Sequence, residues 1–341
     1  MKSKALKNVL NVNGVGIIGM YLVVFIGLSV ACPNFLKFSN IMIGIRQAVY
    51  TAIVAFAMTF VISLGGIDLS VGSTVGISGM VLAAMILGGY NIYLAIGVVI
   101  LLGAFIGLVN GLLVTKLRIA YFIATLGTMS ILRGLIYVYT KGAWVENLPA
   151  EYTRMSNTLI AGQLTTFYAV AILVVIAGHM ILTQTKKGKY FIAVGDNAAG
   201  ATLVGIPASQ TKIMAYILSG IFAAAAGMIY TSRIGFITPT AGNSYEMKAI
   251  AACVLGGIAL TGGQGSLIGA SIGAIIMSSI SRILVFLGFS SDYDNTITGI
   301  LLITIVVINT VTQNRAILKN RHHILSARTA ADADKKGGVQ S

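Results

Sequence analysis

Asp68 is the only acidic residue among the first 140 positions. It sits in Leu64-Gly65-Gly66-Ile67-Asp68-Leu69-Ser70-Val71-Gly72, between apolar neighbours and just after a Gly-Gly break. A carboxylate at bilayer depth costs about 2.5–3.5 kcal/mol on insertion scales, so it must pair or face water. Two roles fit. With Ser70 and Ser73, Asp68 can satisfy free backbone N–H groups at a helix start. It can also line a path for a polar solute. Arg133 is the best buried of three internal arginines, with Thr128 and Ser130 before it and Tyr137 a turn later. Its guanidinium offers several donors, suited to sugar hydroxyls, carboxylates or a partner's acids. An internal ion pair, with Asp68 as one possible partner, is the competing reading. Arg46 and Arg282 sit near enough to span ends to snorkel. Asp68, Ser70, Thr125, Thr128 and Arg133 are therefore the candidate pathway residues.

The remaining reactive residues do not assemble into a catalytic set. There are no paired carboxylates, no metal-spaced histidines and no nucleophile beside a base. His179, His322 and His323 are scattered, and Cys32 and Cys253 are isolated. Cys253, within Ala-Ala-Cys-Val-Leu, reads as a small packing residue. No metal, no cofactor and no enzymatic activity are expected. No phosphate-cradling Gly-Lys-Ser/Thr loop occurs, so any ATP hydrolysis belongs to another chain.

The elements that hold these residues are apolar. The chain has 341 residues, 57% of them hydrophobic and 9% charged. A soluble chain carries about a quarter charged residues. The apolar residues fall in blocks of about 20, the length of a membrane-crossing helix. The fold class is all-α, a polytopic membrane protein of about ten transmembrane helices. They run roughly Gly14–Ala31, Ile41–Leu64, Ser73–Gly88, Ile92–Thr115, Tyr121–Thr140, Leu164–Thr183, Lys212–Thr231, Glu246–Gly262, Ser266–Gly288 and Thr296–Thr312. The first reads as a retained signal anchor. Residues 1–13 form the N-terminus, 14–312 the transmembrane domain and 313–341 a basic tail.

Most of the 23 Lys and Arg cluster in the N-terminus, in the loops around Lys116 and Lys186, and in the tail. This alternation places both termini and the 184–211 connection in the cytoplasm. It also attributes the net charge of +14 to membrane topology and not to nucleic acid. Lys141 to Gln163 becomes the largest outer loop and holds Trp144, the only tryptophan. Glu246 and Lys248 begin the eighth span after Thr238-Pro239-Thr240-Ala241-Gly242-Asn243-Ser244-Tyr245. That stretch reads as an outer surface turn, or as a place to meet a partner or solute.

Glycine numbers 40. Gly103/Gly107/Gly111 and Gly265/Gly269/Gly273 form small-residue ladders that allow close helix approach. The Leu64–Gly72 stretch is echoed by Leu255-Gly256-Gly257-Ile258-Ala259-Leu260-Thr261-Gly262-Gly263. Paired breaks of this kind mark transporters built from two related halves. The span count puts both turns on the cytoplasmic side, whereas an inverted repeat would separate them.

The 184–211 connection contains Gly195-Asp196-Asn197-Ala198-Ala199-Gly200-Ala201 and ends at Gly205-Ile206-Pro207. Asp196 or Asn197 can N-cap a short Ala-rich helix, and Gly205 with Pro207 can stop it. Such a helix is suited to a groove on another protein. A solvated connector is the plainer alternative.

Taken with Phe122-Ile-Ala-Thr-Leu-Gly-Thr128, Gly188-Lys-Tyr190 and Ala249-Ile-Ala-Ala-Cys-Val-Leu-Gly-Gly257, these stretches give a resemblance from about Asn40 to Asn309. The chain resembles the permease subunit of bacterial ribose/galactose-type ABC sugar importers, with a type II importer-like bundle. The resemblance implies an inner-membrane permease working as a pair, either two copies or this chain with a similar second permease. It implies an extracytoplasmic solute-binding protein and an ATP-binding subunit as partners. It also implies that Gly195, Asp196, Asn197, Ala198, Ala199 and Gly205 belong to the coupling segment that docks on the ATPase. Relatives often carry Gly where this chain has Asp196, and Glu where it has Ala198. The expected solute is a monosaccharide; a furanosyl signalling molecule, inositol or a nucleoside are alternatives. An ion-coupled secondary transporter would need several titratable groups at mid-membrane, and Asp68 alone is a candidate.

Overall fold

The computed structural model describes residues 36–161, 164–286 and 293–304, with isolated positions at 22, 26, 27, 29, 30, 288, 290, 306, 307 and 311. Most of the first expected span, the N-terminal segment, Cys32 and the basic tail lie outside the described residues.

The helices are α1 (Phe38–Ile62), α2 (Val71–Leu87), α3 (Ile92–Thr115), α4 (Tyr121–Thr140), α5 (Ala150–Asn157), α6 (Thr166–Gln184), α7 (Lys186–Asp196), α8 (Ala198–Leu203), α9 (Ala208–Ile234), α10 (Tyr245–Leu255) and α11 (Leu267–Phe286). A further helical stretch covers 293–304. Among the described residues the exception to helix is a short antiparallel hairpin, β1 (Leu159–Ala161) with β2 (Leu164–Thr165). It lies in the loop between α5 and α6.

Apolar length produces the spans. Helices α3, α4 and α9 are each long and apolar enough to cross a bilayer. Their interior backbone groups are satisfied by the helix itself, as hydrocarbon demands. Helices α6 and α7 meet at a 67° bend. Thr185 makes the corner, accepting the Gly188 N–H on its hydroxyl. The bend lets α7, rich in lysine, leave the direction of α6.

The core centres on α1 from Ile53 to Phe60, wrapped by α9, α10 and α11. Phe60 packs against Phe191 and Phe222, with centroids 5.9 and 5.4 Å away. A second cluster joins α2, α3, the far half of α9 and Tyr152 of α5. The glycine ladders act as close-packing surfaces. A side chain on Gly103 or Gly107 would collide with the backbone of α9 at Gly220 or Tyr216. Gly269 meets Gly256 and Gly273 meets Ala252 in the same manner, joining α11 to α10.

Two crossings are broken, and hydropathy alone did not reveal one of them. Helix α1 ends at Ile62, Gly65 turns the chain at φ 74°, and residues 66–70 form a non-helical link, turning again at 69–70, before α2 begins at Val71. Helix α9 ends at Gly235, with φ 86°. The stretch 235–244 then turns back into the bundle along α2. Ile237 reaches Gly79, the Ala241 carbonyl reaches Gly76, and Gly242 rests on Gly72. Pro239, Ala241 and Gly242 are buried. The expected outer surface turn is therefore a re-entrant segment, because its small residues fit the glycine face of α2. Helix α10 starts at that depth and has 11 residues. The expected eighth span, Glu246–Gly262, is accordingly a half-length helix followed by a glycine turn.

The two echoed segments touch. The Gly263 N–H donates to the Ser63 carbonyl at 3.0 Å, and Gly65 faces the Thr261 carbonyl. The contact joins residues 63–65 to 261–263, at one end of the bundle.

Candidate functional site

Asp68 is buried at about the midpoint of α9, where a chain of polar side chains joins three helices to the broken α1–α2 link. Its Oδ1 accepts from the Ser70 N–H at 3.0 Å and from the Ser70 hydroxyl at 2.6 Å. Its Oδ2 accepts from the Ser219 hydroxyl of α9 at 2.8 Å. Asn110 of α3 donates to the Ser70 hydroxyl at 2.8 Å. The Thr128 hydroxyl of α4 donates to the Asn110 carbonyl oxygen at 2.6 Å. Ser73 and Thr74 return their hydroxyls to the Ser70 carbonyl. The carboxylate thus holds Ser70, the residue that opens α2, and ties it to α9.

Three expected residues, Asp68, Ser70 and Thr128, meet in this relay. Thr125 does not join it; its hydroxyl donates back to the Tyr121 carbonyl within α4. Arg133 does not pair with Asp68. Its Nη1 donates to the Ala241 carbonyl of the re-entrant segment at 2.6 Å. The reason is position: Arg133 lies about one and a half turns beyond Thr128 on α4, level with Gly76. Glu246 sits close by, against Gly72 at the start of α2. Two residues were missed from sequence, Asn110 and Ser219. Asn110 was the only amide inside the α3 span, a signal that polar atoms at bilayer depth need partners. Ser219 gave no such signal, since serines recur throughout these helices.

The α5 end of the bundle is closed by side chains of the 141–161 loop. Tyr152 donates to the Met228 carbonyl at 2.8 Å, and burial pushes the pKa of its phenol above the usual range. Val145 pairs with Ile237, and Trp144 stacks on Phe236 at 5.4 Å. Lys248 of α10 forms an ion pair with Asp294, which also accepts from Ser281.

At the opposite end, Asn197 N-caps α8 by accepting the Gly200 N–H at 2.9 Å. Gly205, at φ 82°, follows its end. Leu203 and Val204 are 89% and 76% exposed. Gly195 is inserted where no side chain fits, against the Ser63 carbonyl and Gly263 N–H. Asp196 lies against Gly263. The exposed helix α8 is thereby seated, through α7, on both echoed turns.

Comparison with known proteins agrees with this layout. A family model described as "Branched-chain amino acid transport system / permease component" matches residues 40–306. The chain is similar to the autoinducer 2 import system permease protein LsrC of Enterobacter sp. (strain 638), 37% identical over 277 residues, 81% of this chain and 80% of the relative. The Escherichia coli (strain K12 / DH10B) protein of that name is 38% identical over 280 residues, 81% and 82% of the two chains. The Yersinia pseudotuberculosis protein is 34% identical over 331 residues, 92% and 94%. No solved structure matches. The match across most of the chain places it in this permease family, as the multi-pass membrane subunit of an ABC importer.

Proposed function

We propose that the chain forms the solute pathway of an importer whose ATP is hydrolysed by a separate subunit docked on α8, with the α8 end and both termini in the cytoplasm. The observation that carries this is the solvent-facing α8, capped by Asn197 and seated through Gly195 on the two turns that end α1 and α10. A partner gripping Leu203 and Val204 would pull on the chain breaks directly. Gly195, Asp196, Asn197, Ala198, Ala199 and Gly205 form the coupling segment. An extracytoplasmic solute-binding protein loads the pathway from the α5 end, and a second permease subunit completes the pair.

Asp68, Ser70, Thr128 and Arg133 border the pathway, with Thr125 one turn below Thr128. Hydroxyl and amide side chains suit a neutral polyol, whose hydrogen bonds must be weak enough to release it. A monosaccharide-sized solute follows. The naming of relatives for autoinducer 2 import favours that signalling molecule as a second reading.

The test is uptake into vesicles holding the permease, its ATP-binding subunit and binding protein, with labelled ribose and autoinducer 2 as probes. Uptake is expected to require ATP and to survive collapse of proton and sodium gradients. Uphill uptake by the unaccompanied permease on an ion gradient would refute the proposal. Replacing Leu203 by Glu is expected to abolish co-purification of the ATP-binding subunit while the permease still reaches the membrane. Retained co-purification would place the docking surface elsewhere.

A further inference from the structure

A buried polar atom without a partner costs about 1–3 kcal/mol. Native chains hold few, and each calls for a reason. Among the described residues, four side-chain atoms are of this kind: Ser78 Oγ, His179 Nδ1, Tyr216 Oη and Glu246 Oε2. Three of them follow one line through the bundle. Tyr216, 3% exposed on α9, brings its hydroxyl beside Gly66 in the α1–α2 break. Glu246 sets Oε2 against Gly72, at the start of α2. Ser78, fully buried on α2, faces Gly227 of α9. The line runs from the α8 end towards the α5 end, beside the Asp68 relay.

The seam along this line is lined by glycines. Gly66, Gly72, Gly76 and Gly79 form one wall, and Gly227 and Gly242 lie on the other. Backbone meets backbone where Gly72 faces Gly242 and Gly79 faces Gly227, while Glu246, Arg133, Thr231 and Ile237 bring side chains against Gly72, Gly76 and Gly79. The three atoms differ from the relay groups in a telling respect. Asp68, Ser70, Asn110, Thr128 and Ser219 bond to one another and hold shape. Tyr216, Glu246 and Ser78 hold unused capacity: two hydroxyls that donate and accept, and one carboxylate oxygen that accepts.

We infer that Tyr216, Glu246 and Ser78 are the solute-contacting groups of the pathway, set along the glycine seam between residues 66–79 and the facing surfaces of α9, α10 and the 235–244 segment. This rests on the importer reading. The ligand chemistry they fit is a neutral polyhydroxylated molecule that exchanges hydroxyl contacts one station at a time. The seam is shut in this conformation, and the contacts form when it opens.

The experiment does not require the solute. Tyr216→Cys, Glu246→Cys and Ser78→Cys are each placed in a background carrying Cys32→Ser and Cys253→Ala. The complex with its ATP-binding subunit is treated with a small cationic methanethiosulfonate, first without nucleotide and then trapped with ATP and vanadate. All three cysteines are expected to react, with rates that differ by at least about tenfold between the two states. Ala274→Cys, buried on α11 in the core, is expected to stay unmodified. Absence of reaction at the three positions in both states would overturn the inference, as would equal reaction at Ala274→Cys. Tyr216→Phe supplies a second measure. It removes a hydroxyl that bonds to nothing in the chain, so its thermal midpoint is expected to equal or exceed that of the parent; a clear fall would make the hydroxyl structural and sink the assignment. Labelling in a complex that takes up neither ribose nor autoinducer 2 with ATP would uphold the seam and count against the importer reading alone.

Discussion

Asp68→Ala is expected to dismantle the centre of the bundle. The substitution removes the acceptor of three hydrogen bonds, from the Ser70 N–H, the Ser70 hydroxyl and the Ser219 hydroxyl. A hydrogen bond is worth about 0.5–1.5 kcal/mol net, and a donor left buried without its partner costs about 1–3 kcal/mol. The loss would be on the order of 3 kcal/mol or more, a large share of a typical stability of roughly 5–15 kcal/mol. Ser70, at the entry to α2, then loses its anchor, and Asn110 and Thr128 lose the far end of their relay. A sharp drop in thermal midpoint in detergent, with loss of uptake, is the expected result. Asp68→Asn keeps one acceptor oxygen of the same shape and should be damaged less. A parent-like midpoint for Asp68→Ala would show that the relay does not support the fold.

The second large effect falls on coupling. Gly195→Val drives a side chain into the Ser63 carbonyl and the Gly263 N–H. The α7–α8 unit must then lift from both turns, although Asn197 still caps α8. Residues along a coupling network modulate it by about 0.5–2 kcal/mol, and an outright steric break belongs at the upper end. Solute moved per ATP hydrolysed should fall by roughly 30-fold, the fold-change equal to about 2 kcal/mol. Hydrolysis itself should persist, because the exposed face at Leu203 and Val204 is untouched. An unchanged ratio of uptake to hydrolysis would mean that force does not pass through this contact.

Much of this architecture was legible in the residues. Apolar length located α3 and α4 to their end residues, and the Gly-Gly break beside Asp68 marked the α1–α2 interruption. Asn197 and Gly205 announced the limits of α8, since capping chemistry is local. The glycine ladders announced close approach, though not which helix approaches. What sequence did not disclose was set by distant contacts. Residues 238–245 carry the hydroxyl and amide groups of an exposed turn; they enter the bundle because Gly72, Gly76 and Gly79 leave room for them. Arg133 had Asp68 as a possible partner by sequence, and only helix register decided that it meets the Ala241 carbonyl. Ser219 became the partner of Asp68 through packing between elements about 150 residues apart, for which no local pattern exists.

The stack of Trp144 on Phe236 has a practical corollary. Phe236 opens the stretch that dives into the bundle, and Trp144 is the sole indole in the chain. Any motion that withdraws that stretch separates the two rings and changes the surroundings of the one strong native fluorophore. The molecule therefore carries a built-in optical gauge at its mouth, readable without an added dye.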